Sequence, residues 1–501
     1  MDIEIQPTQL GEWLPRLDRA FTVAGAYCPA CKPELLGSAA FRRDHGVRYA
    51  YHAGAMANGI ASEQLVIALG RAGILASFGA AGLLPPRVEQ AIARIRDALP
   101  RGPYAFNLIH SPSEDAVERA HVELFLKHGV RTVEASAYLA LTPHVVRYRL
   151  AGLSRRPDGS IAREHRVLAK VSRPEVARHF MMPAPARIIE QLLAQQLITR
   201  EQAELAAHVP MADDITVEAD SAGHTDNRPF ITIVPTLVAL RDSVQAAQRY
   251  AEPLRIGVGG GIGTPSACLA AFVLGADYIV TGSVNQACVQ SGTSDAVRKM
   301  LADAEIADFA MAPAADMFEM GVKLQVLKRG TMFAMRAGRL YELYRKYEGV
   351  AALPRDERQK LEEQLFRCSL DEIWQRCVEY FAQRDPEQIA RARQHEKRKL
   401  ALIFRWYLGI SSHWANSGEP GRELDYQIWA GPAIGAFNAW THGTYLAEPK
   451  QRDVRDVAEN LMTGAAYLSR VHTLRQQGVT MPEELASYKP QPQEQRSCMQ
   501  S

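Results

Sequence analysis

Three turns in this chain hold the residue types best suited to chemistry. The first, Gly259-Gly260-Gly261, follows the apolar run that begins at Arg255 and precedes Thr264-Pro265, a capping residue and first-turn proline for a helix. Backbone without Cβ atoms can approach an anion closely, and the helix start behind it offers free N–H groups. The second, Thr281-Gly282-Ser283 with Gln286 beyond it, ends the apolar run that begins at Asp277. Together the two turns read as a phosphate seat. Counting excludes a dinucleotide fingerprint: frames started at Gly257, Gly259 or Gly261 place Ile262, Thr264 or Ser266 where the third glycine belongs. The third turn runs from Glu218 through Asp220, Gly223, His224 and Asp226 to Arg228. A histidine at a glycine turn, crowded by carboxylates, can act as acid, base or substrate clamp. A metal on Asp220, His224 and Asp226 would compete with many hydrogen-bond partners, so no metal site is expected.

Other residues suit a flat heterocycle. Ala55-Met56-Ala-Asn58-Gly59 and Phe78-Gly-Ala-Ala-Gly82 are small-residue turns, and Asn107 offers an amide with donors and acceptors. Lys170 can stabilise negative charge on a reduced ring, or be an interior lysine paired with Glu134 or Glu218. A monophosphate seat, small residues for a ring and a polar turn opposite together suggest FMN, whose chemistry is its own while the protein orients substrate and manages protons.

The elements that must position these residues alternate. Strands are expected at 47–56, 74–78, 104–109, 131–136, 167–172 and 215–219, followed by the runs from Arg255 and Asp277. Helices are expected at 62–72, 85–99, 113–128 (capped by Ser113), 142–150, 174–180 and 235–250, with a helical insertion at about 183–210. Eight strand–helix repeats over roughly 250 residues predict an α/β fold, a (β/α)8 TIM barrel, whose active face lies at the strand C-termini and whose phosphate sites follow strands seven and eight. The expected organisation is an irregular lead-in over 1–44, the barrel over 45–300, a largely helical region over 301–488 that completes the active site, and a disordered tail over 489–501. The four tryptophans from Trp406 to Trp440 read as packing between helices.

A chain of 501 residues that is 47% hydrophobic can bury a large core, and a net charge of +2 gives no support for nucleic acid as a partner. The apolar stretch 65–84 is broken by Arg71 and glycines, and the N-terminus lacks a secretory pattern, so neither membrane nor export is expected. Seven sparse cysteines suit a reduced, cytoplasmic protein. Cys28-Pro-Ala-Cys31 lacks the second pair that a zinc site wants, and plain thiols are expected there.

Several long segments resemble the PfaD-type trans-acting enoyl reductases of polyketide and polyunsaturated fatty acid synthases, within the nitronate monooxygenase and FMN-dependent enoyl-ACP reductase superfamily. They are 220–229, 259–265, 281–286, 313–319, 323–330, 404–409 and 427–432. The resemblance implies FMN in the barrel, NADPH as reductant and a 2-enoyl thioester on an acyl carrier protein as substrate. It also implies that His224 matches the superfamily's active-site histidine, that Asp220 replaces a glutamate, and that Gly260-Gly261 and Gly282-Ser283 match the FMN phosphate loops. Ala222 stands where the family usually has glycine, and Gly259 where alanine is common. Catalysis is therefore expected from His224, Asp220 and Lys170. Cofactor contacts are expected from Ala55, Met56, Asn58, Gly59, Asn107, Lys170, Gly223, Gly259, Gly260, Gly261, Thr281, Gly282, Ser283 and Gln286. Lys323, Lys328, Arg329, Arg336 and Arg339 form a basic neighbourhood that would receive the carrier or its phosphopantetheine phosphate, or simply be a solvated face. A homodimer is compatible with the sequence. Two other readings stay open: a nitronate monooxygenase with the same cofactor, and a flavin-free barrel that scaffolds a synthase.

Overall fold

The computed structural model describes residues 3–110, 115–223 and 225–499, with the side chains of 383 and 497–499 outside that set. Ser113 and His224 therefore lie outside the described residues.

Eight parallel strands close a barrel: β1 (Tyr51–Ala53), β2 (Leu75–Phe78), β3 (Ala105–Ile109), β4 (Thr132–Ser136), β5 (Arg166–Val171), β6 (Asp214–Glu218), β7 (Arg255–Gly259) and β8 (Tyr278–Thr281). Neighbours in sequence are neighbours in space, and β8 closes on β1 with Val280 opposite His52. The expected alternation is present, although β1 is much shorter than 47–56. Leu75, Ala105, Leu168 and Tyr278 fill the interior. The Tyr278 ring lies where a Cβ on Gly257 would be, which is why β7 carries a glycine there.

The outer helices include α1 (Glu63–Arg71), α2 (Pro85–Ala98), α3 (Asp115–Lys127), α4 (Pro143–Ala151), α5 (Pro174–Met181), α6 (Phe230–Gln248) and α7 (Pro265–Val273). Short helices Ala186–Ala194 and Arg200–Ala206 make the insertion between α5 and β6. Helix α6 begins earlier than expected and contains Pro235. It is long and apolar enough by length and composition to cross a membrane, yet it packs on β6, β7 and α5 as a barrel helix.

The place of the eighth outer helix is taken by a segment far along the chain, Val454–Gln476, which packs against both α7 and α1. Its Arg470 is buried and donates to the carbonyls of Leu14 (3.1 Å) and Arg19 (3.0 Å) and to Cys28 Sγ (3.2 Å). Residues 3–44 thus carry regular structure rather than an irregular lead-in. They form a three-stranded sheet, Ile3–Ile5, Phe21–Val23 and Ala26–Cys28, and a helix, Ala39–His45. That helix closes the bottom of the barrel, where His45 Nε2 lies 2.9 Å from Asp214 and Arg255 pairs with Asp44 at 2.7 Å. Of the tail expected to be disordered, 500–501 lie outside the described residues, and the described part is structured. A helix runs over Gln493–Met499, and Arg496 is buried against Asp456 and Glu459.

Between β8 and Val454 the chain builds a cap over the strand C-termini. It contains an antiparallel hairpin, β9 (Phe309–Pro313) with β10 (Lys323–Leu327), where helix was expected. Helices α8 (Phe333–Lys346), α9 (Leu370–Arg384) and α10 (Glu396–Ser417) pack around a second core that includes Phe318, Leu340, Phe366, Phe404 and Tyr407. Tyr407 donates to the buried Asp425 at 2.7 Å, and Arg336 and Arg422 neutralise that carboxylate.

Candidate active site

A cavity of about 870 Å³ lies between the barrel mouth and the cap. Its floor is lined by residues at the ends of the strands, among them Asn107, Lys170, Glu218, Gly259 and Thr281. Strand direction explains the gathering, since every parallel strand delivers its C-terminal residues to the same face.

At the floor, Lys170 Nζ stands 3.1 Å from Glu218 Oε1 and 3.5 Å from Glu134 Oε1. Burial pushes Lys170 toward losing its proton, but Glu218 and Glu134 outweigh that and raise its pKa above the ordinary lysine value. Glu134 is fully buried on the neighbouring strand and accepts from the Ala55 N–H at 2.8 Å. Burial opposes its charge too, yet Lys170 and His52 hold its pKa below the usual carboxylate value. His52, buried and 2.8 Å from Ser77 Oγ, is pushed down to about 4, chiefly by burial. At neutral pH His52 is uncharged, so its 3.6 Å approach to Glu134 is a polar contact rather than an ion pair. Asn107 donates to the Glu134 carbonyl and to Ser136 Oγ, both at 3.0 Å. Both pairings expected for Lys170 as an interior lysine are therefore present, and it also lines the cavity.

Two strands along from Lys170, the turn after β7 has Gly260 at φ +88° and Gly261 at φ +77°. A Cβ on Gly260 would lie 2.8 Å from the Asp220 carbonyl, so the site needs glycine for space as well as for φ. Thr264 caps α7, accepting from Ala267 N at 3.2 Å. Gly282 has open space where its Cβ would be, and Ser283 accepts from the Gly431 N–H of the cap at 3.1 Å.

The β6 turn is tied to both bodies. Thr225 Oγ1 donates to the Glu218 and Ala219 carbonyls at 2.8 Å, and Asp220 Oδ1 accepts from Asn227 (3.2 Å) and from Gln325 of β10 (2.7 Å). Gly223 and Asp220 line the cavity.

Of the residues expected to touch a cofactor, only Gly59 is off the lining. It shapes the turn behind it, with φ +72° and its N–H donating to Gly79 at 2.9 Å. The basic neighbourhood does not reach the cavity. Arg336 pairs with Asp425, Arg339 with Glu357 (2.8 Å) and Glu342 (3.5 Å), and Arg329 with Asp308 (3.2 Å) and Glu305 (3.3 Å). Lys323 and Lys328 are exposed, with no ion pair among the described residues. Sequence reasoning passed over the cap residues Arg376, Tyr380 and Arg384, which line the cavity, and read Trp406, which lines it with Arg405, as packing between helices. The signal was there, since Arg376, Tyr380 and Arg384 recur at four-residue spacing on one charged helix. No cluster of metal-binding side chains occurs among the described residues, and Cys28 and Cys31 are free thiols.

Comparison with known proteins gives this site a family. Residues 347–426 match a family model described as [Acyl-carrier-protein] S-malonyltransferase, inserted helical domain, which is the helical part of the cap. The chain is 51% identical over 447 residues to a component of the polyunsaturated fatty acid synthase of a Thraustochytrium species, covering 88% of this chain and 30% of that protein. It is 45% identical over 436 residues to the polyketide biosynthesis protein PksE of Bacillus subtilis, covering 87% of this chain and 56% of that one. The chain thus spans less than two thirds of each of these curated relatives. The crystal structure of the enoyl reductase domain of MlnA, from the macrolactin biosynthesis cluster of Bacillus amyloliquefaciens, superimposes with a TM-score of 0.84 at 38% identity, covering 88% of this chain and 100% of that one. FabK of Thermotoga maritima, at TM-score 0.52 and 15% identity, shares the fold. The chain belongs to the PfaD-type enoyl reductase family of polyketide and polyunsaturated fatty acid synthases.

Proposed function

We propose that this chain is an FMN-dependent, trans-acting enoyl reductase of the cytoplasm that uses NADPH to reduce 2-enoyl thioesters carried on an acyl carrier protein. The observation that carries the reading is one cavity with an anion-sized glycine cradle on one wall and a fixed lysine charge at its floor. Gly260, Gly261, Gly282 and Ser283 would hold the FMN phosphate. The cradle fits it because Gly260 leaves no room for a side chain and Gly282 leaves open space. Ala55, Met56, Asn107 and Lys170 would take the ring, and Lys170 brings the sign of charge that favours an electron-rich ring. When bound, FMN would supply the hydride passed from NADPH to the β-carbon of the enoyl thioester.

The remaining work falls to this chain's own groups. At the floor Glu134 is fully buried, and low local polarity strengthens the polar contacts it makes. His224 is assigned proton delivery to the α-carbon or polarisation of the thioester carbonyl, from its chain position between Gly223, which lines the cavity, and Thr225, which is pinned to β6. Asp220 orients this turn through Asn227 and Gln325. The test is His224→Ala. It should keep its flavin and lose roughly 10²- to 10⁴-fold in turnover of a crotonyl-carrier thioester. Full turnover in that variant would remove His224 from the chemistry.

A further inference from the structure

We propose that Arg376 and Arg405, at the cap end of the cavity, seat an organic phosphate, and that this phosphate is the one on the pantetheine arm of the thioester substrate. The inference rests on the enoyl reductase reading above and adds to it the means by which the cap recognises the substrate's arm.

Three observations converge. First, α9 and α10 pack side by side and both line the cavity, with Arg376, Tyr380 and Arg384 from one and Arg405 and Trp406 from the other. Spacing of four residues puts the first three on one face of α9. Among the described residues, the cap brings three arginines and a single carboxylate, Asp316, to the lining.

Second, two of the arginines lie over aromatic rings. The Arg376 guanidinium lies 5.4 Å from the Trp406 ring centroid, and that of Arg384 lies 5.4 Å from Tyr380. A ring contact of this kind holds the Arg376 charge at the cavity, and a guanidinium is suited to a bidentate phosphate contact. Arg405 contacts Glu319 at 3.2 Å through Nη1 only, and a guanidinium has five N–H donors.

Third, the cap also contributes apolar side chains to the lining, among them Leu324, Phe381, Leu402 and Leu408. A ligand that is uncharged along its length and anionic at one end suits a lining of this mixed kind. Pantetheine phosphate has this form. The FMN phosphate has its own seat at the glycine turns, on the barrel wall. NADPH carries a 2′-phosphate of the same chemistry, so the experiment must separate the two.

Crotonyl-4′-phosphopantetheine and crotonyl-pantetheine would be compared as substrates for the wild type, Arg376→Ala and Arg405→Ala. Loss of a charge-assisted hydrogen bond should lower kcat/KM for the phosphorylated substrate by roughly 10- to 100-fold and leave the other within about threefold, with Arg376→Lys recovering part of the loss. Equal losses on both substrates would overturn the proposal. So would a loss that appears instead as a raised KM for NADPH but not NADH. Quenching of tryptophan fluorescence by 4′-phosphopantetheine and by pantetheine, read on the wild type without turnover, decides the seat even if the enzyme assay fails. Tighter binding of the phosphorylated ligand supports it, and equal binding overturns it. Absence of flavin or turnover in the wild type would count against the enoyl reductase reading alone.

Discussion

Lys170 Nζ lies 3.1 Å from Glu218 Oε1, with the buried Glu134 on its other side, so one cation separates two carboxylates on neighbouring strands. Removing that cation leaves like charges facing each other, both carboxylates being buried. Lys170→Met should therefore destabilise the fold by about 3 kcal/mol, the low end for breaking a buried pair, because the lysine side chain keeps some exposure to the cavity. Urea denaturation measures it, and Lys170→Arg should recover most of the loss.

The glycine cradle makes a separate prediction. Gly261→Asp places a carboxylate where the phosphate would sit, and the variant should purify colourless. Gly260→Ala should also lose flavin, and strain at its positive φ should cost about 1 to 3 kcal/mol of stability. Undiminished flavin content in both variants would put the phosphate elsewhere.

Acid stability should depend on Asp213. Burial works against its charge, but Arg149 at 2.7 Å and Arg163 at 2.8 Å outweigh it and bring its pKa from 3.8 to about 2. A depressed folded pKa means that the stabilisation is complete above the unfolded value and is lost as pH falls through the folded one. Stability should drop by on the order of 2 kcal/mol between pH 4 and pH 2 from this group alone. Chemical denaturation across that window should show a shallower slope in Asp213→Asn.

Docking of a carrier at Lys328 and Arg329 now divides. Arg329 is engaged with Asp308 and Glu305, whereas Lys328 is exposed. Lys328→Glu should raise KM for a carrier-bound substrate more than for a small thioester. An equal effect on both would leave Lys328 a solvated lysine.

The barrel was legible because its signals are local. Period-two apolar runs, turn glycines and the Thr264-Pro265 start each act over a few residues, and their order along the chain sets the topology. Their repetition brought thirteen of the fourteen residues expected to touch a cofactor to the lining of one cavity, all but Gly59. What escaped depends on contacts distant in sequence. Val454–Gln476 becomes a barrel helix only because α7 and α1 leave a gap for it, and nothing in its own pattern says so. Leu14, Arg19 and Cys28 are held by Arg470, more than 440 positions away. Hairpin β9–β10 was a missed signal of another kind, since Lys323-Leu-Gln-Val alternates at the strand period inside a region read as helical.

The central claim, a flavin passing reducing equivalents from NADPH to a carrier-bound enoyl group, is tested most directly by anaerobic stopped-flow absorbance of the FMN-loaded protein. The yellow absorbance should bleach on mixing with NADPH and return on mixing the reduced protein with crotonyl-carrier thioester, with one saturated thioester formed per flavin. A protein that binds no FMN, or whose bleached flavin is not reoxidised by the enoyl thioester, would contradict the account.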